Sequence, residues 1–101
     1  KSITLPESIT SIEYAAFTYS AALEEVTLGS GVTYIGNSAF EGCESLVSLY
    51  CKATTPPALG NSVFSWTPDN LVIYVPTASV NAYKSDADWS DCGGEIVGRN
   101  F

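Results

Sequence analysis

Histidine is absent from this chain, and only four of its 101 residues carry positive charge. The first absence removes Ser–His and Cys–His nucleophile pairs, histidine metal sites and the most frequent general base together. The second leaves Lys1, Lys52, Lys84 and Arg99 against eleven acids, a net charge of −7 with no basic cluster. Such a surface repels phosphate backbones and anionic bilayers, which excludes nucleic acid as a partner and argues against direct membrane insertion. No apolar run reaches the roughly 18–20 residues of a bilayer span, and no segment reads as an export leader. Cysteine is also scarce: three residues cannot all pair with one another.

What is present is repetition. Residues 1–22 and 24–45 spell the same pattern twice, KSITLPESITSIEYAAFTYSAA against EEVTLGSGVTYIGNSAFEGCES, with Leu23 and Leu46 closing each copy. Sliding one copy onto the other pairs Ile3 with Val26, Leu5 with Leu28, Ile9 with Val32, Ile12 with Ile35, Ala16 with Ala39 and Phe17 with Phe40. A looser third copy runs through Leu46, Leu49, Cys51, Leu59 and Phe64, anchored by Gly60-Asn61-Ser62-Val63-Phe64 against Gly36-Asn37-Ser38-Ala39-Phe40. Its step is stretched to 24, and the added residue belongs in Thr54-Thr55-Pro56-Pro57, where prolines lack the amide that a sheet ladder needs. A fixed step of about two dozen residues marks a solenoid, in which each unit buries its apolar side only against its neighbours.

Within a copy, Leu23-x-x-Val26-x-Leu28 opens a leucine-rich repeat, a short strand whose alternate residues point inward while Glu25 and Thr27 face out. Val32-x-x-Ile35-x-x-x-Ala39-Phe40 then carries the chain back across the far side, with Gly29, Gly31 and Gly36 at the bends. The fold expected is a leucine-rich-repeat solenoid of one domain, with repeats at about 1–22, 23–45 and 46–70 and a C-terminal cap over 71–101. Lys1 falls inside a unit, which leads to the expectation that the chain is a piece of a longer protein. In the cap, Leu71, Ile73 and Val75 alternate as a strand, Thr77 is placed as N-cap, and Ala78 to Ser85 reads as a short helix lying over the open end of the stack. Trp89 is assigned to plug the remaining gap, and Gly93-Gly94 followed by Glu95-Ile96-Val97 predicts a turn and a final strand. The first unit carries no such cover, so its edge is expected to be bare and open to self-association.

These strings resemble the BspA-like leucine-rich repeats of bacterial surface proteins. The resemblance rests on Ile3-Thr4-Leu5-Pro6, Ile9-Thr10-Ser11-Ile12, Ser38-Ala39-Phe40-Glu41-Gly42-Cys43, Ala53-Thr54-Thr55-Pro56-Pro57 and Ile73-Tyr74-Val75-Pro76, and covers about residues 1–90. Two strings depart from it: Glu13-Tyr14-Ala15 replaces Gly-Asn-Ser, and Thr18-Tyr19-Ser20 replaces Glu-Gly-Cys. The resemblance implies a secreted or cell-surface location and non-enzymatic recognition, with a host, matrix or cell-surface protein as partner. Two alternatives stand beside it, a structural spacer or capping module and a carbohydrate-binding module.

Candidate chemistry is sparse. Glu24, Glu25, Glu41 and Glu44 stand at solvated strand or turn positions without the apolar surroundings that tune a catalytic carboxylate. Asp86-Ala87-Asp88-Trp89-Ser90-Asp91 alternates oxygen ligands as a calcium loop does, yet lacks its glycine and distal glutamate, and reads as a solvated tail. No glycine-rich phosphate loop occurs, so no metal and no cofactor are expected. Cys43 and Cys51 read as buried free thiols acting as small hydrophobes, and Cys92 as a free thiol in the tail with pairing left open. The candidate binding residues are the outward rows of the stacked strands: Ser2, Glu25, Ser48 and Val72 in one file, Thr4, Thr27, Tyr50 and Tyr74 in the next. Two adjacent tyrosines make a rigid amphipathic patch suited to proteins or sugar rings. They also make a cross-strand pair that stiffens the sheet.

Overall fold

The computed structural model describes residues 1–92 and 94–101 and shows a chain wound into successive coils. One side of each coil is a strand of a five-stranded, all-parallel sheet: β1 (Ser2–Thr4), β3 (Glu25–Leu28), β5 (Ser48–Cys51), β7 (Val72–Pro76) and β8 (Glu95–Arg99), in the order β1-β3-β5-β7-β8. The return segments are irregular apart from two-residue bridges, β2 (Ser11–Ile12), β4 (Tyr34–Ile35) and β6 (Ala58–Leu59), which pair in parallel as a second, three-stranded sheet. Partners in the main sheet stand 23 residues apart except between β5 and β7, where Ser48 faces Val72; the same extra residue separates Tyr34 from Ala58. The Thr54–Pro57 insertion lies between these pairs, as its prolines require.

Strand alternation does the sorting. Val26, Leu28, Leu49, Cys51, Ile73 and Val75 are fully enclosed, while their neighbours along each strand stay at least partly exposed. A third ladder runs along the turns of the return. The N–H groups of Ala15, Phe17 and Tyr19 donate to the carbonyls of Asn37, Ala39 and Glu41, and those of Ser38, Phe40 and Gly42 to Asn61, Val63 and Ser65. Left-handed backbone recurs with the repeat, at Ala15, Ser38 and Ser62 (φ 55–59°) and again at Tyr19, Gly42 and Trp66 (φ 55–75°). The two strings that depart from the family pattern therefore keep its backbone. At Gly42 the absence of a Cβ also has a steric reason, since the Tyr19 ring lies directly against it.

The phenylalanines of the three copies stack. Phe17 and Phe40 lie 5.4 Å apart with rings 3° from parallel, and Phe40 and Phe64 lie 5.8 Å apart at 4°. Phe40 is wholly enclosed, because each of its faces meets another ring. In the first coil Ile3, Leu5, Ile9 and Phe17 are only half-buried and Ala16 is exposed, for no coil packs on their outer side.

The cap differs in detail from its expected form. A 3₁₀ turn (Thr77–Ser79) precedes α1 (Val80–Ser85), so the helix starts two residues later than predicted. Thr77 does not cap it: its hydroxyl donates to Asn100 Oδ1 at 3.1 Å. The expected solvated tail is instead α2 (Ala87–Ser90), whose N-cap Asp86 accepts from the amides of Asp88 and Trp89. α2 packs beside β6 and α1 against β7 and β8, closing the core, while β8 carries the main sheet one strand further and forms its edge. Of the turn expected before β8, Gly93 lies outside the described residues.

Trp89 fills the gap assigned to it. Its ring lies 5.9 Å from Phe64 and meets Tyr83 edge-on at 5.1 Å, ending the aromatic column. The cap also answers a polar problem created by the insertion, which breaks the ladder and leaves carbonyls without a strand partner. Ser79 Oγ donates to Thr54 O (2.8 Å), Tyr83 Oη to Ala53 O (2.6 Å) and Trp89 Nε1 to Pro57 O (2.8 Å). Because the Tyr83 proton is committed to Ala53, the Cys51 thiol 3.3 Å away is left to donate to the phenol oxygen. Burial pushes the Tyr83 phenol and the Cys51 thiol up, which keeps both neutral.

Candidate functional site

The outward face of the main sheet carries the candidate residues in the files that the repeat predicts. Ser2, Glu25, Ser48, Val72 and Glu95 are mutual neighbours at the strand starts, and Thr4, Thr27, Tyr50, Tyr74 and Val97 at the next outward position. Tyr50 and Tyr74 stack with centroids 4.8 Å apart and planes 12° from parallel. That separation matches the spacing of neighbouring strands, so the rings stack along the ladder axis.

Further residues border the candidate tyrosine patch. The Arg99 guanidinium carbon lies 5.2 Å from the Tyr50 centroid and 5.8 Å from that of Tyr74, spanning both rings rather than covering one. An exposed contact of this kind is worth about 0.5–1 kcal/mol. Lys52, two residues beyond Tyr50, Asn100 and the exposed Phe101 stand with Arg99 around a cavity of about 460 Å³ floored by Thr4 and Thr27 and walled by one face of Tyr50. Two of the four basic residues of a strongly acidic chain thus meet at one place. A signal for this was available: a further 23-residue step puts Arg99 opposite Pro76, two residues past the Tyr74–Val97 pair.

Charge is sorted along the strands. Glu25 and Glu95 stand at the strand starts, Lys52 and Arg99 at the ends, so the face is negative along one margin and positive along the other. Lys52 Nζ lies 3.8 Å from Glu7 Oε2, a loose surface pair. Glu7 is engaged more closely by Ser30, whose amide and hydroxyl donate to it at 3.1 and 2.9 Å and, with Lys52, hold its carboxyl below the usual carboxylate range.

The sequence profile described as BspA type Leucine rich repeat region (6 copies) matches residues 1–87. This chain belongs to that family. Neither curated proteins nor solved structures supply a match. The BspA-type repeat and its solenoid make the chain a non-enzymatic, leucine-rich-repeat-type protein-interaction module. Among the described residues no group of three or more His, Cys, Asp or Glu is arranged to hold a metal ion. Asp86 of the calcium-like string is occupied as a helix cap. The three cysteines are free, Cys43 and Cys51 buried and Cys92 half-buried, and burial raises each thiol above its ordinary value. Cys43 Sγ donates to Phe17 O at 3.0 Å, tying one coil of the BspA-type stack to the next.

Proposed function

We propose that this BspA-type module is an extracellular recognition segment of a secreted or surface-attached bacterial protein, binding a host, matrix or cell-surface protein through the outward face of its five-stranded sheet. The observation that carries this reading is the Tyr50–Tyr74 stack with Arg99 across it. Tyrosine and arginine are the side chains that most often dominate protein interfaces, because each combines a large rigid contact area with a polar tip. Here they sit on paired strands, which fixes their positions before any partner arrives. Family membership supports protein interaction in general, and the ordered aromatic stack supports this face as the surface that carries it.

The test replaces Tyr50 and Tyr74 together with serine and measures binding to mucin, matrix proteins and cells. Loss of binding with circular dichroism and melting curve retained is the expected result. Undiminished binding by the folded double variant removes this face from the function. A glycan array run with both proteins separates a carbohydrate ligand from a protein one.

A further inference from the structure

The tyrosine column is shorter than the sheet that carries it. Along one file the side chains are Thr4, Thr27, Tyr50 and Tyr74, so one face of Tyr50 lies on Tyr74 and the other looks over Thr27 into the cavity. A planar side chain set above Thr27 would become the next member of the stack at strand spacing. Lys52 and Arg99 stand at the strand-end margin of this slot, and the exposed Phe101 lines the same cavity. Lys52 has only its loose pairing with exposed Glu7, and among the described residues Arg99 is within ion-pair distance of no carboxylate.

We propose that the slot beside Tyr50 takes an aromatic side chain of a partner protein flanked by acidic residues, the ring stacking on Tyr50 and the carboxylates meeting Lys52 and Arg99. This deepens the reading of the sheet face as a protein-recognition surface and rests on it. Charge complementarity selects the occupant: an acidic segment is repelled by the chain as a whole and attracted at this one margin, which fixes where and in which direction it binds. The lining distinguishes a peptide from a sugar. Sugar hydroxyls need acceptors as well as donors, and apart from hydroxyls the lining side chains offer one acceptor, the carboxamide oxygen of Asn100, which already accepts from Thr77, and no carboxylate side chain. A ring between acids needs only a π-face and two cations.

The experiment titrates the ¹⁵N-labelled chain with acetyl-Glu-Tyr-Glu-amide, its neutral counterpart acetyl-Gln-Tyr-Gln-amide, the ringless acetyl-Glu-Ala-Glu-amide and N-acetylneuraminic acid. The acidic tyrosine peptide is expected to shift the amides of Thr27, Tyr50, Lys52 and Arg99. It should bind about tenfold more tightly than either control peptide, the preference shrinking as salt is added. K52Q/R99Q should abolish the preference for acid, and T27L, which fills the slot from below, should abolish the preference for the ring. Equal binding of the acidic and neutral peptides, shifts confined to another surface, or no binding of any peptide overturns the proposal, and tighter binding of the acidic sugar replaces the peptide with a glycan. Loss of partner binding by Y50S/Y74S with full binding by K52Q/R99Q would refute this inference while leaving the sheet face as the recognition surface.

Discussion

Replacing Phe40 with alanine probes the stack at its centre. The ring is sandwiched between Phe17 at 5.4 Å and Phe64 at 5.8 Å and is wholly enclosed, so its removal forfeits transfer free energy, leaves a cavity and breaks two aromatic contacts. Buried Phe→Ala changes cost about 3–5 kcal/mol, a large fraction of the roughly 5–15 kcal/mol that holds a domain folded. For a chain of this length the midpoint of thermal unfolding should fall by on the order of 15–25 °C. Phe17 makes one ring contact and is half-buried, so Phe17→Ala should cost about half as much. It should fray the first coil before the rest melts, as nearest-neighbour stability in repeat proteins dictates. Urea unfolding followed by the fluorescence of enclosed Trp89 for the global transition, with amide exchange for the first coil, separates the two effects. Equal losses at Phe17 and Phe40, or a loss below about 1 kcal/mol at Phe40, would show that the rings are not packed as one column.

Other expectations follow from individual contacts. Tyr83→Phe leaves the Ala53 carbonyl buried without its donor and should destabilise by about 1–3 kcal/mol in urea, whereas Thr77→Ala, at an exposed hydroxyl that caps no helix, should stay within about 0.5 kcal/mol. Glu7 is held below its ordinary value of 4.5 by hydrogen bonds from Ser30 and by Lys52. Its contribution is therefore present above pH 4.5 and lost as the pH falls through the lower folded-state value; an NMR titration of its carboxyl that ends at or above 4.5 would contradict this. In the native protein at pH 8 a thiol reagent should leave Cys43 and Cys51 unlabelled and react slowly at Cys92, all three reacting in denaturant. The half-buried row Ile3, Leu5, Ile9 and Phe17 predicts that the 101-residue chain associates through its first coil as concentration rises, and sedimentation showing a monomer at millimolar concentration would refute it.

The sequence made the coil legible because its period is written in side chains large enough to count. Phe17, Phe40 and Phe64 mark the column, and the prolines at 56 and 57 mark where a residue is added. The second sheet was not legible, since β2, β4 and β6 are each two residues long and leave no alternation to read. The cap was legible as a helix and a plug but not in its capping. Thr77 suits an N-cap by type and is drawn away to Asn100, whereas Asp86, read as part of a solvated string, supplies the cap of α2. The tyrosine pair followed from the stretched step of 24 residues. Arg99 did not follow so readily, because the segment between β7 and β8 is built of helices rather than a repeat and conceals the return of the 23-residue step. Lys52 was visible as one of four cations, but its meeting with Arg99 exists only once β8 is laid beside β7.

Both the stability of the coil and the composition of its outward face depend on coils lying in register at steps of 23 and 24 residues. Nuclear Overhauser contacts between aromatic rings in solution report that register directly. Cross-peaks are expected from Phe40 to both Phe17 and Phe64, and from Tyr50 to Tyr74 and to the Arg99 side chain. Strong secondary-structure signals with none of these contacts would contradict it, because the chain would then be folded without the stacking that assembles the core and the site.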